Sequence, residues 1–229
     1  MQHSIDYGPA YAMLTCNLEA GESLVAEGGA MVSMTPGFEI ATTAGAAGGG
    51  LMGALKRSVL GGESFFMNTF SATTTAQVSF APRAPGDIFH HPLDGAEGLK
   101  VVSGCYMASD GTVTVDTKWG GAKTFFTGEG LFLLHVTGGG NLFFSSFGAM
   151  RRVDLAAGQV FSVDTGHIIA FHDSVTYTVS KFGSWKSTIL GGEGLVAQLT
   201  GPGSVWIQTR SPHGLAELIM PFLPQPSSS

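Results

Sequence analysis

The chain has 229 residues, of which 12% are charged and 44% are hydrophobic, and its 17 acidic against 11 basic side chains give a net charge of −6. Because proteins bind nucleic acids largely by neutralising phosphates with cations, this balance argues against DNA or RNA as a partner. The length suits a single all-β body, or three small units that share one core. With so few charges, the surface is either unusually apolar or partly covered in an oligomer.

Two cysteines and the N-terminal residues bear on the compartment. Cys16 and Cys105 lack the spacing of metal ligands and lie in apolar segments, which indicates two buried thiols in a reducing cytoplasm. Residues 1–6 have neither the basic start nor the apolar run of a signal peptide. No uncharged apolar run reaches 18 residues, so we expect no membrane-spanning helix.

A Gly-Glu turn that runs into an apolar strand occurs three times along the chain. The spacing between the glutamates is 66 and then 64 residues, which predicts a tandem repeat. The three turns are Gly62-Glu63, Gly128-Glu129 and Gly192-Glu193.

A second landmark supports the same triplication. A leucine lies 11 residues before a glycine in each copy, and an apolar pair and a small residue follow that glycine. The leucine and glycine pairs are Leu18 with Gly29, Leu93 with Gly104, and Leu155 with Gly166. We therefore predict one body, residues 1–229, in which three two-sheet units bury what no single unit could bury alone.

The predicted first repeat spans residues 11–82. Short strands are expected within 24–34, broken at Gly28-Gly29, and at 38–41, followed by a glycine-rich insertion at 44–60. Segments 66–71 and 77–80 then read as the two strands of a hairpin.

The predicted second and third repeats span residues 86–147 and 148–210. Apolar and polar residues alternate at 113–118 and again at 175–180, the pattern of a half-buried strand. Glycine-rich turns at 138–141 and 201–204 each separate two apolar runs. A hairpin is thus expected to close every repeat, at 72–76, 137–141 and 200–204.

The C-terminal segment, residues 211–229, predicts a short helix and a tail. Ser211 can cap the helix and Pro212 suits its first position, whereas Pro221 would end it. Apolar residues recur at helical spacing, at Leu215, Leu218, Ile219 and Phe222. We expect this stripe to dock on its own sheet in preference to a neighbouring subunit.

The sequence lacks the patterns of the common catalytic and metal sites. His90 and His91 are consecutive, so on a strand they point to opposite faces, and the isolated His135 is typical of a hydrogen-bonded core histidine. There is no Gly-x-Ser-x-Gly elbow and no phosphate-binding loop. We therefore predict no metal site, no cofactor and no enzymatic activity.

Two sets of residues remain as candidate sites. Under a pseudo-threefold arrangement Glu63, Glu129 and Glu193 could ring a cation, although carboxylates that accept N–H bonds from their own turns explain the repetition as well. In the insertion at 44–60, a basic pair beside apolar residues either packs on the body or docks on a partner or an anionic membrane. The docking residues would be Leu51, Met52, Leu55, Lys56 and Arg57.

Five stretches carry a family likeness, and they are 61–66, 85–88, 128–132, 163–171 and 201–210. They resemble the AIM24 family, uncharacterised bacterial proteins related to a mitochondrial biogenesis factor. The resemblance implies a TRAP-like β fold, with three β-sandwich units in one chain that assemble as a ring-like trimer. It offers no catalytic residues, and a shared fold does not transmit the RNA binding for which that fold is named.

These observations predict a non-enzymatic, homotrimeric scaffold or interaction protein, located in the cytoplasm or at a membrane surface. The alternative is a small-molecule-binding protein or enzyme with a site between repeats. A deep pocket lined by convergent polar side chains would favour that alternative.

Overall fold

Short strands joined by tight turns make up most of the computed structural model, which describes residues 1–44, 65–116, 132–181 and 195–224. The chain is mostly β, with several sheets and one short C-terminal helix. The strands are β1 (Gln2–Asp6), β2 (Met13–Leu18), β3 (Ser23–Glu27), β4 (Met31–Met34), β5 (Phe38–Ala44), β6 (Phe66–Ala72), β7 (Ala76–Phe80), β8 (Ile88–Asp94), β9 (Leu99–Val102), β10 (Tyr106–Asp110), β11 (Thr114–Asp116), β12 (Leu133–Thr137), β13 (Gly139–Ser145), β14 (Met150–Leu155), β15 (Val160–Asp164), β16 (Ile168–His172), β17 (Thr176–Lys181), β18 (Leu195–Thr200) and β19 (Gly203–Gln208). Helix α1 spans Pro212–Ile219 and a 3₁₀ turn, Met220–Phe222, follows it.

The strands after β1 pair in one scheme that occurs three times. We call β2–β7 group one, β8–β13 group two and β14–β19 group three. In each group the first and third strands flank the sixth, which makes a front half-sheet. The second and fourth strands flank the fifth, which makes a back half-sheet. All of these pairs are antiparallel.

Neighbouring groups are joined through their sheets. The back half-sheet of group one continues into the front half-sheet of group two where β3 pairs with β10. The back half-sheet of group two continues into group three where β9 pairs with β16. Each junction makes a six-stranded sheet, so the groups share sheets as well as apolar cores.

A β-bulge lies at the same place in the third strand of every group. The register shifts between Met31 and Ser33 in β4, between Tyr106 and Ala108 in β10, and between Ile168 and Ala170 in β16. A bulge bends its strand and increases the local twist. These three segments directly follow the three landmark glycines of the sequence.

The three predicted hairpins are wrong. Strands β6 and β7 are consecutive but belong to different sheets, and the same is true of β12 with β13 and of β18 with β19. Each turn is a corner that carries the chain from the back half-sheet to the front one. Glycine between apolar runs permits either outcome, because a hairpin and a corner both need a sharp turn and two strands with a buried face.

Several other predictions are confirmed. Residues 176–180 lie in strand β17, and from Val175 to Ser180 the side chains alternate between covered and exposed positions. The hydroxyl of Ser211 caps α1 by accepting a hydrogen bond from the Gly214 N–H, with Pro212 at the first helical position. Both cysteines are free thiols and buried. Strand β1, which the sequence analysis did not anticipate, extends the front half-sheet of group one by pairing with β2.

Trp206 on β19 anchors the core between groups two and three. Its indole is fully buried, and Phe89 and Phe144 of group two contact it at ring-centroid distances of 5.8 and 5.5 Å. His91 and His172 lie against the same indole at 5.4 and 5.2 Å. The cluster therefore ties two groups together and places two imidazoles in an aromatic environment.

Gly86 lies where the segment that enters group two meets the segment that enters group three. A Cβ atom on Gly86 would lie 1.8 Å from the Ser146 carbonyl oxygen, and Gly86 forms an isolated parallel bridge with Gly148. The backbone of Gly86 also accepts a hydrogen bond from the Ala12 N–H at 3.1 Å. The segments that enter the three groups thus meet at a position where only glycine fits.

Gly86→Ala should lower the free energy of unfolding by about 1–3 kcal/mol, because the new methyl group must push two backbone segments apart. Gly139→Ala is the matched control, since its Cβ would meet only the Leu93 carbonyl oxygen at 3.8 Å. The control should change stability by less than about 0.5 kcal/mol in urea unfolding. Equal effects in the two variants would contradict the close approach at Gly86.

Acid should destabilise the core through His91. Burial, together with electrostatic repulsion from His172 and Arg152, lowers the pKa of His91 to about 4. The unfolded imidazole titrates near pH 6.5, so between these values the unfolded chain binds more protons, and stability falls as the pH falls from about 6.5 to about 4.

His91→Gln should therefore flatten this pH dependence by about 1–2 kcal/mol, a figure reduced from the full linkage because His91 keeps some contact with solvent. Urea unfolding at a series of pH values between 4 and 7 measures the slope. An unchanged slope in the variant would show that His91 is already charged in the folded protein.

Candidate functional site

The site residues predicted from sequence lie outside the part of the chain that the structure describes. This holds for the turn residues Gly62, Glu63, Gly128, Glu129, Gly192 and Glu193. It holds equally for the docking residues Leu51, Met52, Leu55, Lys56 and Arg57. Of the insertion at 44–60, only Ala44 is described, as the last residue of β5.

Two strand edges stand out among the described residues. Strands β10 and β16, the third strands of groups two and three, each pair with a strand of the preceding group, whereas β4 of group one pairs with β7 alone among the described strands. Strands β3 and β9 each pair with the following group, whereas β15, within the described part of the chain, pairs with β18 alone. An unpaired edge presents a row of N–H and C=O groups to solvent and can template the addition of another strand.

Apolar side chains are exposed along both of these edges. Met31, Val32 and Met34 on β4 and Val160 on β15 are 41–56% exposed. Four of the five residues of β10 and of β16 are buried, so the same place in the other two groups is covered. Hydrophobic residues on an unpaired edge are a feature that proteins generally avoid unless the edge is used.

A cavity of about 500 Å³ is the second candidate site. It lies between the segment that joins groups one and two, the β9–β10 turn, the 3₁₀ turn Thr165–His167 before β16, and α1. Its polar lining includes Arg83, Cys105, Gln208 and His213. A volume of this size is within the usual range for small-molecule sites.

The polar groups of this cavity are engaged by the protein itself. The Gln208 side chain accepts a hydrogen bond from the Phe147 N–H at 2.8 Å and donates one to the Gly166 carbonyl at 3.0 Å. Arg83 donates to the Gly28 carbonyl at 2.7 Å. Burial raises the pKa of the Cys105 thiol to about 12, so the nucleophilic thiolate is disfavoured. The cavity therefore resembles a packed junction more than a prepared reaction centre.

A charged cluster at the junction of groups two and three is the third candidate. The ammonium of Lys100, almost fully buried, lies 2.8 Å from one Asp173 carboxylate oxygen, and His135 Nε2 lies 2.6 Å from the other. The Lys100 ammonium also lies 5.6 Å from the centre of the Phe171 ring. Burial alone would raise the pKa of Asp173, but hydrogen bonds from Lys100 and His135 hold it below its ordinary value.

This cluster explains His135 and has a structural role. Lys100 lies opposite His135 on β12 and opposite Phe171 on β16, so the ion pair spans the seam where two groups share a sheet. A buried ammonium needs such a partner, since an unpaired buried charge is costly. The prediction of a hydrogen-bonded histidine at position 135 is confirmed.

The structure brings together two histidines that the sequence could not relate. The rings of His91 and His172 are 5.7 Å apart, on strands of different groups. Nδ1 of His172 accepts a hydrogen bond from the Ser204 N–H at 3.2 Å, which leaves Nε2 to carry the proton. Across the described ranges, no three His, Cys, Asp or Glu side chains are grouped as a metal ion would need.

Helix α1 exposes its apolar stripe, contrary to the expectation that it docks on its own body. Only Pro212, His213 and Ala216 of the helix line the cavity described above. No residue of α1 is buried. None of the helices that the structure describes is long and apolar enough to cross a bilayer.

Comparisons with known proteins match nearly the whole chain. A curated uncharacterised protein of Streptococcus pyogenes serotype M6 is 28% identical to this chain, over 100% of the chain and 93% of that protein. A crystal structure of a protein from Streptococcus pyogenes has a TM-score of 0.80 and 26% identity, and the match covers 97% of this chain and 99% of that one. A family model described as mitochondrial biogenesis AIM24 matches residues 3–210, and the chain therefore belongs to the AIM24 family.

Proposed function

We propose that the protein is a non-enzymatic scaffold made of three structural repeats, in which β15 of one chain pairs with β4 of the next. The carrying observation is the pair of open edges. Strand β15 has the same place in group three that β3 and β9 have in their groups, and β4 has the same place as β10 and β16. Group three therefore carries, in β15, the kind of strand at which a junction to a following group begins.

The two junctions within the chain specify a register for this contact. Ala108 is opposite Ala26 at the first junction, and Ala170 is opposite Val101 at the second. Ser33 follows the bulge in β4 as Ala108 and Ala170 follow theirs. Val163 lies eight residues after Leu155, as Ala26 and Val101 do after Leu18 and Leu93. Ser33 should therefore oppose Val163, and Met34 should oppose Ser162.

The contact should be favourable on two grounds. It would give the exposed N–H and C=O groups of both edges the partners that a sheet provides. It would also cover the apolar side chains of β4 and Val160, each worth about 25 cal/mol per Å² of apolar surface removed from water. The interface is of the head-to-tail kind, which closes into a ring if the rotation per chain permits. Three chains are the closure that the family resemblance implies.

The role of such an assembly would be to present one surface in several copies. Binding by linked copies gains from effective concentration, so a weak contact per chain can become a firm one. The docking of a protein partner or membrane surface by residues 44–60, and a cytoplasmic location, belong to this proposal and are supported by the sequence pattern alone. No step of the proposal requires a reaction.

The cavity of about 500 Å³ favours a second function, the binding of a small molecule between groups. Its weakness is that Gln208 and Arg83 already bond to backbone groups, so a ligand would have to displace these contacts. The scaffold proposal explains more of the structure, because the open edges of β4 and β15 both take part in it.

Charge placed at Met34 and Ser162 tests the edge pairing. With lysine at both positions, like charges should lie opposite one another, and the concentration at half-dissociation should rise on the order of tenfold. Met34→Lys combined with Ser162→Glu should restore assembly, because the same positions then attract. Light scattering of a dilution series should give a mass of about three chains for the wild type and the rescued pair.

The matched control is Ile40→Lys, since Ile40 is an exposed apolar residue on β5, an outer edge strand that the proposal leaves unpaired. This variant should assemble as the wild type does. A monomeric wild type, or equal dissociation of the two double variants, would refute the pairing of these edges.

A further inference from the structure

We propose that the exposed apolar face of α1 docks on a second copy of this chain, against the loop between β1 and β2 of the next chain in the assembly. This inference rests on the proposed head-to-tail scaffold and adds to it a second contact, made by different residues. The helix would then act as a clasp beside the paired strands, and the assembly would be held at two places per junction.

The helix carries the largest exposed apolar segment among the described residues. Its last turns and the residues after them hold six large apolar side chains that are 40–83% exposed. They are Leu215, Leu218, Ile219, Met220, Phe222 and Leu223. A continuous apolar surface of this kind on a soluble body usually marks an interaction site.

The starts of successive groups lie next to one another in the chain. Tyr11, Gly86 and Gly148 each lie seven residues before the landmark leucines Leu18, Leu93 and Leu155. The Ala12 N–H, next to Tyr11, donates to the Gly86 carbonyl, and Gly86 in turn bridges Gly148. Each of these positions thus lies beside its counterpart in the next group.

If the first group of the next chain follows group three in the same way, Tyr11 of the next chain would lie beside Gly148. A Cβ atom on Gly148 would be 3.1 Å from the Cγ atom of Arg210, which directly precedes the Ser211 cap of α1. The incoming loop would therefore arrive at the first turn of the helix. Group three is the last group among the residues that the structure describes, so within those residues no start of a fourth group lies beside Gly148.

The incoming loop has the chemistry that an apolar helix face requires. Tyr7 and Tyr11 are each 72% exposed, and the Tyr11 N–H donates to the Tyr7 carbonyl at 3.3 Å, which holds the loop in a compact turn. Tyrosines with a free ring face and a wet hydroxyl are enriched at protein interfaces. Two exposed aromatics on one chain and six exposed aliphatic or aromatic residues on the next are a matched pair of surfaces.

The charge of the helix favours a protein occupant over a lipid one. Residues 211–224 contain no lysine or arginine, and the charged residue of α1 is Glu217, beside His213. Interfacial helices usually carry lysine and arginine on their polar face to reach anionic headgroups. A second copy of the chain needs no such charge.

Cross-linking between differently tagged chains tests the contact directly. One chain carries Tyr11→Cys, the other carries Arg210→Cys, and the two are co-expressed so that a mixed cross-link can form only between chains. A short bifunctional maleimide should link them efficiently. The native Cys16 and Cys105 are buried and should not react. Thr74→Cys with Arg210→Cys is the control and should give less than about a tenth of that yield, because Thr74 lies in the β6–β7 corner, at the far end of β7.

The mass of the same sample distinguishes the helix contact from the pairing of β15 with β4. An assembly of about three chains without the Tyr11–Arg210 cross-link would overturn the helix contact and leave the edge pairing intact. Monomers without a cross-link would overturn both.

Leu218→Glu together with Phe222→Glu supplies a second readout in the full-length chain. The clasp predicts that the concentration at half-dissociation rises at least several-fold, with unchanged urea unfolding at low protein concentration. Unchanged assembly would overturn the clasp. So would wild-type protein that floats with phosphatidylcholine and phosphatidylglycerol vesicles through these two residues, since a lipid surface would then be the occupant.

Discussion

The open strand edge is the constraint on which the organisation of this protein depends. A front half-sheet of three strands is narrow, and its third strand needs a neighbour to bond its outer N–H and C=O groups. Within the chain, β10 and β16 obtain that neighbour from the preceding group. The first and last groups cannot both be completed this way unless the chain closes on itself or meets another copy.

The two junctions inside the chain show how the seam is secured by different chemistry at equivalent positions. At the first, the buried Tyr106 hydroxyl lies 3.2 Å from the Val25 carbonyl and 2.9 Å from the Ser109 hydroxyl. At the second, Lys100 binds Asp173 across the seam. Main-chain hydrogen bonds between the strands supply the affinity of each junction, and these side-chain contacts fix its register. At the proposed junction between chains the opposed residues are Met34 and Ser162, so the contact there would rest more on apolar burial and backbone bonds.

Sequence reasoning reached the strand content, the terminal helix and the landmark segments, because these depend on local patterns. The apolar alternation at 175–180 and the cap at Ser211 are decided within a few residues. It failed at the turns near residues 74, 138 and 202, since a corner and a hairpin use the same glycine-rich chemistry and differ only in which distant strand supplies the hydrogen bonds.

The open edges of β4 and β15 could not be predicted from local sequence patterns either. Nothing in the residues of β4 or β15 marks them as unpaired. Their openness follows from the position of their groups at the two ends of the chain. The contact of His91 with His172 likewise depends on two groups that meet only in the fold. Consecutive histidines at 90 and 91 indicated opposite faces, and one of those faces meets group three.

Hydrogen exchange at two protein concentrations tests the central claim most directly. If β15 pairs with β4 of another chain, amides of Met31–Met34 and Val160–Asp164 should be protected at high concentration and should exchange faster together on dilution, by at least tenfold. Amides of β14, whose outer edge has no partner in the proposal, should not change. Exchange in β4 and β15 that is fast at every concentration, with β14 behaving in the same way, would contradict the account.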